Sequence, residues 1–113
     1  MSTVRDLVTT LWRHRPRRVL VRGGSMAPTL RDGDVVLARI GAAVRPGELA
    51  LVRWPARPQQ LSVKRAALEL DGGWFAVGDA PGASTDSRTL GPALAVGPVR
   101  WRLWPRPGRL RAR

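Results

Sequence analysis

A chain of 113 residues has room for one domain around a single modest core. It contains no cysteine, which excludes disulfides, thiol catalysis and cysteine metal sites and leaves the redox compartment open. The formal charge of +12 gathers in residues 13–22 and 100–113, runs that suit nucleic acid or an anionic lipid surface as readily as plain solvation. No RNA-binding or helix-turn-helix pattern accompanies them, so no specific nucleic-acid partner is expected.

Residues 3–13 are predicted to form a short amphipathic helix. Val4, Leu7, Val8, Leu11 and Trp12 recur at spacings of three and four, Ser2 or Thr3 offers a cap, and Pro16 stops the helix. Its apolar face would pack on the domain or lie peripherally against an anionic membrane. It is too short to cross a bilayer, which takes about 20 consecutive apolar residues, and it lacks the pattern of a secretory signal. From Arg17 onward the pattern is β. Apolar runs at Val19–Arg22, Asp34–Ile40, Glu48–Trp54, Leu61–Leu70, Trp74–Val77 and Ala95–Trp104 are separated by turn signals. Those signals are Arg31-Asp32-Gly33-Asp34, Arg45-Pro46-Gly47, Pro55–Pro58 and Asp71-Gly72-Gly73, the last a tight hairpin. The expected fold is mainly β, an antiparallel, partly closed barrel or sandwich over residues 17–104. Residues 1–16 form the helix and hinge ahead of it, and 105–113 a basic Pro/Arg-rich tail expected to be disordered.

Two places carry chemistry. Gly24-Ser25-Met26-Ala27-Pro28-Thr29-Leu30 sets a small hydroxyl on a Gly/Pro-shaped turn between two strand-like runs, where a nucleophile would be exposed and firmly held. Taken alone, such a turn reads as a β-turn with a solvated serine. The second place is Lys64. Of 20 basic residues all but this one are arginine, and arginine cannot release its proton in a protein. A lysine desolvated among apolar neighbours such as Val63, Ala66 and Ala67 can do so, and can then serve as a general base toward a serine. The single histidine, His14, sits in the run Arg13-His14-Arg15-Pro16-Arg17-Arg18, which looks like an exposed hinge rather than part of a Ser-His-Asp triad.

These residues fall into a recognisable order. Gly24–Leu30 with Gly33-Asp34 resembles the nucleophile box of type I signal peptidases, Lys64-Arg65 their lysine box, and Gly78-Asp79-Ala80-Pro81-Gly82-Ala83-Ser84-Thr85-Asp86-Ser87-Arg88 their last box. The resemblance implies a serine endopeptidase with a Ser/Lys dyad. Ser25 would be the nucleophile, Lys64 the base, and the Ser25 backbone N–H an oxyanion donor. Ser84 would orient the lysine amine, Asp86 and Arg88 would form an ion pair shaping the site, and Asp79 would begin the same box. Gly24, Met26 and Pro28 would shape the turn and line the substrate cleft. Three departures stand out. Gly23 takes the place of a serine donor found in some members, Ala80 replaces an asparagine, and the membrane anchor usual before the serine box is not in this sequence.

A narrower resemblance follows from Ala83–Pro92 and Val99–Pro107, which are similar to the corresponding parts of the maturation proteases of nickel-type superoxide dismutase. It implies a cytoplasmic enzyme, peripheral at most on the inner face of the membrane. Its partner would be a nickel superoxide dismutase precursor, whose N-terminal extension it removes. No cofactor is expected, and no metal of its own, since one histidine and no cysteine offer no nickel site. Three other readings compete: a membrane-associated signal peptidase acting on exported preproteins, a self-cleaving repressor-type peptidase, and a non-catalytic basic binding module. The second would need a DNA-binding domain and a cleavage loop ahead of Ser25, for which 24 residues leave little room. The third explains the charge but not three boxes in order.

Overall fold

The computed structural model describes residues 15–82 and 86–113. Seven strands and one helical turn follow in order: β1 (Pro16–Leu20), β2 (Val35–Arg39), β3 (Leu49–Trp54), β4 (Arg57–Leu70), β5 (Gly73–Val77), α1 (Ser87–Leu90), β6 (Leu94–Trp104) and β7 (Gly108–Arg109). They form one sheet in the order β1-β2-β6-β3-β4-β5, with β7 added to β6, and every pairing is antiparallel. The mainly β expectation holds, and the sheet coils without closing. A bridge between Trp74 and Ala93 brings the outer edge of β5 back onto the segment leading into β6.

The coiling follows from β3, whose run Leu49–Trp54 is apolar at every position but Arg53. Successive side chains of a strand point to opposite faces, and here both faces are covered. Leu49 and Leu51 join a core with Val21, Met26, Leu30, Val36, Ala38, Val63 and Val99. Ala50, Val52 and Trp54 join a second core with Ala66, Trp74, Ala76 and Ala93. The first core grips the turn that carries Ser25. The second grips β5 and the approach to β6. β3 is therefore the strand shared by both cores.

The strand expected over Leu61–Leu70 begins earlier, at Arg57, because only Pro55-Ala56 turns; Pro58 falls in the irregular stretch between the Trp54–Arg57 and Arg53–Leu61 pairs, where a missing N–H costs no ladder bond. The tail at 105–113 is not disordered. Gly108 and Arg109 pair with Arg102 and Trp101, the Leu110 N–H donates to Arg100, Leu110 packs on the first core, and the Arg113 N–H donates to the Gly47 carbonyl. Its Pro/Arg composition concealed one apolar side chain and an unpaired β6 edge, which together outweigh the ordering cost. Gly47 makes the docking possible: its φ is +88°, and the Arg113 carbonyl lies where a Cβ would stand. The helix expected over residues 3–13 lies outside the described residues. Among the described residues no helix is long and apolar enough to cross a membrane.

Candidate active site

After β1 the chain enters a compact turn held from several sides. The Val21 N–H donates to Asp34, and the Gly33 N–H donates back to Val21. Two overlapping turns follow, with Ala27 N–H to Gly24 and Leu30 N–H to Met26, and the Ala27–Pro28 peptide is cis. Two carboxylates brace the ends: Asp32 accepts from the Gly23 N–H at 2.7 Å and Asp34 from the Arg31 N–H at 2.9 Å. Met26, 1% exposed, and Leu30, fully buried, anchor the turn in the first core. Ser25 is thereby carried half-buried on a braced turn, next to the anchored Met26.

Lys64 reaches it from β4. The side chain is 3% exposed, its cross-strand partner is the fully buried Ala50, and its Nζ donates to Ser25 Oγ at 2.8 Å. Of the apolar neighbours expected around it, Val63 and Ala66 are buried, whereas Ala67 is exposed. Burial pushes the Lys64 pKa below its ordinary value, and the negative charge of Asp86 opposes that shift without cancelling it. At a given pH more of Lys64 is therefore free amine than in an exposed lysine. A buried amine in contact with a serine hydroxyl can take that proton and return it elsewhere.

The last box supports both groups. The Ala80 N–H donates to the Ser25 carbonyl at 2.9 Å. Asp79 accepts from Thr29 Oγ1 at 2.6 Å and from Arg65 Nε and Nη2 at 3.1 and 2.5 Å. Burial alone would raise the Asp79 pKa, but the hydrogen bonds from Arg65 and Thr29, with the charges of Arg65 and Arg113, hold it below the ordinary value. Asp79 thus ties the serine turn to the residue next to Lys64. Asp86, 1% exposed, caps α1 by accepting from the Arg88 N–H and pairs with the Arg88 guanidinium at 2.7 Å. The hydrogen bond from Arg88 is the main cause of its lowered pKa; burial opposes, and the Lys64 charge assists.

Ser25, Gly24, Met26 and Lys64 all line one cleft of about 540 Å³. Its walls are Val19–Arg22, at the end of β1 and beyond it, and Gln60–Val63 of β4, over an apolar floor that includes Leu51. Among the described residues both walls are free strand edges: β1 pairs only with β2, and β4 pairs with β5 only from Arg65 onward. Pro28 lies on the exposed side of the turn and does not line the cleft. Ser84 and His14 lie outside the described residues.

Three residues emerge here that the sequence did not single out. Arg65 was visible only as the second half of the lysine box, yet it is buried and donates to Asp79, Gly47 and Arg111. Thr29 was visible only as part of the serine box. Ser87 locks the last box to β5, accepting from the Ala76 N–H at 2.8 Å and donating to the Trp74 carbonyl. Period-2 alternation on β4 does place Arg65 on the face opposite Lys64, but its partner, 14 residues on, needed the fold. Among the described residues no three His, Cys, Asp or Glu side chains gather into a metal-binding group.

The Peptidase S24-like family model matches residues 15–75, more than half of the chain and the part that carries both Ser25 and Lys64. No curated protein matches the chain.

Proposed function

This chain belongs to the Peptidase S24-like family, so its function is of the serine peptidase type, and on that premise we propose that it is an endopeptidase using a Ser25/Lys64 dyad. The observation that carries the proposal is the 2.8 Å contact between a buried lysine amine and a serine hydroxyl at the base of an open cleft. Neutral Lys64 takes the Ser25 proton as Oγ attacks the scissile carbonyl. The resulting oxyanion is received by the Ser25 backbone N–H, a kind of donor whose loss costs about 3–4 kcal/mol in other serine peptidases. Lys64, now an ammonium, gives its proton to the leaving amine, and a water activated by the same amine then releases the acyl group from Ser25.

The substrate is an extended peptide. Two free strand edges flanking the cleft offer backbone hydrogen bonds to an added strand, a mode in which the main chain supplies affinity and alternate side chains supply specificity. Combined with the resemblance to the nickel superoxide dismutase maturation proteases, this favours an N-terminal extension of the dismutase precursor, cleaved in the cytoplasm. The same site would serve a signal peptidase. A purely basic binding module accounts for the charge but leaves the Ser25–Lys64 contact without a role.

The test is co-expression with a nickel superoxide dismutase precursor, read by intact-protein mass, comparing wild type with Ser25→Ala and Lys64→Arg. Cleavage at one site by wild type alone is expected. Cleavage that persists in both variants contradicts the dyad. The mass of the protease in the same samples reports self-cleavage, the alternative within the same chemistry.

A further inference from the structure

The side of the sheet facing away from the first core carries two cross-strand rows, of which only Leu20 also borders the cleft. Opposed residues on neighbouring strands share a face. The registers align Leu20 with Val35 and Val35 with Trp104, and next to them Arg18 with Leu37, Leu37 with Trp101 and Trp101 with Arg109. The intervening Val36 and Ala38 are buried in the core, which fixes the first set as outward. Leu20, Trp101 and Trp104 are 49%, 47% and 60% exposed, and the Arg109 guanidinium carbon lies 6.0 Å from the centre of the Trp101 ring. An apolar patch with two tryptophans, an arginine at each end of one row and no carboxylate in either row is an unusual surface to leave in water.

We infer that this face binds an anionic lipid surface. Tryptophan suits the boundary between headgroups and acyl chains, having a large apolar body and one polar N–H. The aliphatic side chains between them add area that a bilayer can cover, and Arg18 and Arg109 are placed for anionic headgroups. Single-stranded nucleic acid would use the arginines and the two rings but finds nothing to stack on at Leu20, Val35 and Leu37. A second copy of the chain would set arginine against arginine on a protein of charge +12. Leu20 also lies on the wall of the cleft, so the bound protein presents its cleft beside the lipid surface.

The inference is independent of the peptidase reading, because binding requires neither Ser25 nor Lys64. The full chain is mixed with vesicles of phosphatidylcholine alone, or of equal parts phosphatidylcholine and phosphatidylglycerol, and followed by flotation and tryptophan fluorescence. Binding to the anionic vesicles with a blue-shifted emission is expected, unchanged in Ser25→Ala. In Trp101→Ser/Trp104→Ser it weakens about tenfold or more. Arg18→Glu/Arg109→Glu weakens it to a similar degree and removes most of its salt dependence, while thermal unfolding confirms that both variants are folded. Equal binding to neutral vesicles, undiminished binding in both double variants, capture of a single-stranded oligonucleotide in place of vesicles, or a stable dimer buried on this face would each overturn the assignment.

Discussion

Lys64 and Arg65 are consecutive residues of β4, 3% and 4% exposed, and the protein treats them in opposite ways. Arg65 is surrounded by acceptors: both oxygens of Asp79 and the carbonyls of Gly47 and Arg111. Lys64 donates to a neutral hydroxyl, and the carboxylate that acts on it, Asp86, is itself engaged by Arg88. Burial with a full set of acceptors turns a cation into an anchor. Burial without one lowers its pKa and suits it to the proposed role of base. Strand alternation separates these roles by a single residue, because the two side chains leave β4 on opposite faces.

Substitutions at the two positions should therefore diverge. The largest effect is on catalysis: Lys64→Arg keeps the charge but cannot give up its proton, and cleavage should fall by about a thousandfold, within the range for loss of a general base, in an assay on purified precursor. Next comes stability. Arg65→Met leaves Asp79 buried without its partner and should cost about 3–5 kcal/mol in urea unfolding. Lys64→Met should do the reverse, abolishing cleavage while raising stability at neutral pH. The sign follows from linkage. With a folded-state pKa below the ordinary 10.5, the unfolded chain binds the Lys64 proton more tightly. Wild-type stability therefore climbs as pH rises through the interval up to 10.5, and Lys64→Met loses that climb.

A smaller effect is expected at Asp86→Asn. Asparagine still caps α1, but the charge that raises the Lys64 pKa is gone, so the acid limb of the cleavage rate should move to lower pH. A shift to higher pH would mean that Asp86 acts on Lys64 by some other route. The smallest is Gly47→Ala, which places a side chain at φ +88° against the Arg113 carbonyl. It should cost about 1–2 kcal/mol and loosen residues 108–113 in hydrogen exchange, leaving the pH profile unchanged.

Much of this was legible in the sequence because it is local. The turn around Ser25, the isolated lysine, the short apolar runs and the Asp71-Gly72 hairpin each announce themselves within a few residues. What was not legible depends on chain separation. Arg65 and Asp79 sit in different boxes, the two-sided burial of β3 depends on which strands flank it, and the Gly108–Arg109 pairing depends on β6 presenting a free edge. Composition misled at the tail because proline and arginine say nothing of Leu110, and Leu110 is what the first core takes up. The family match is to an S24-like peptidase, whereas the boxes resemble type I signal peptidases; what the two share is a serine peptidase chemistry.

The most direct test rests on Lys64 being the chain's one lysine. Protein made with labelled lysine gives a single side-chain signal by NMR, and its titration reports the Lys64 pKa without assignment. The expected midpoint lies below the ordinary 10.5, lower still in Asp86→Asn, and coincides with the acid limb of precursor cleavage. A Lys64 that titrates at or above its ordinary value, or a cleavage rate indifferent to that titration, would contradict the proposal that this lysine is the base.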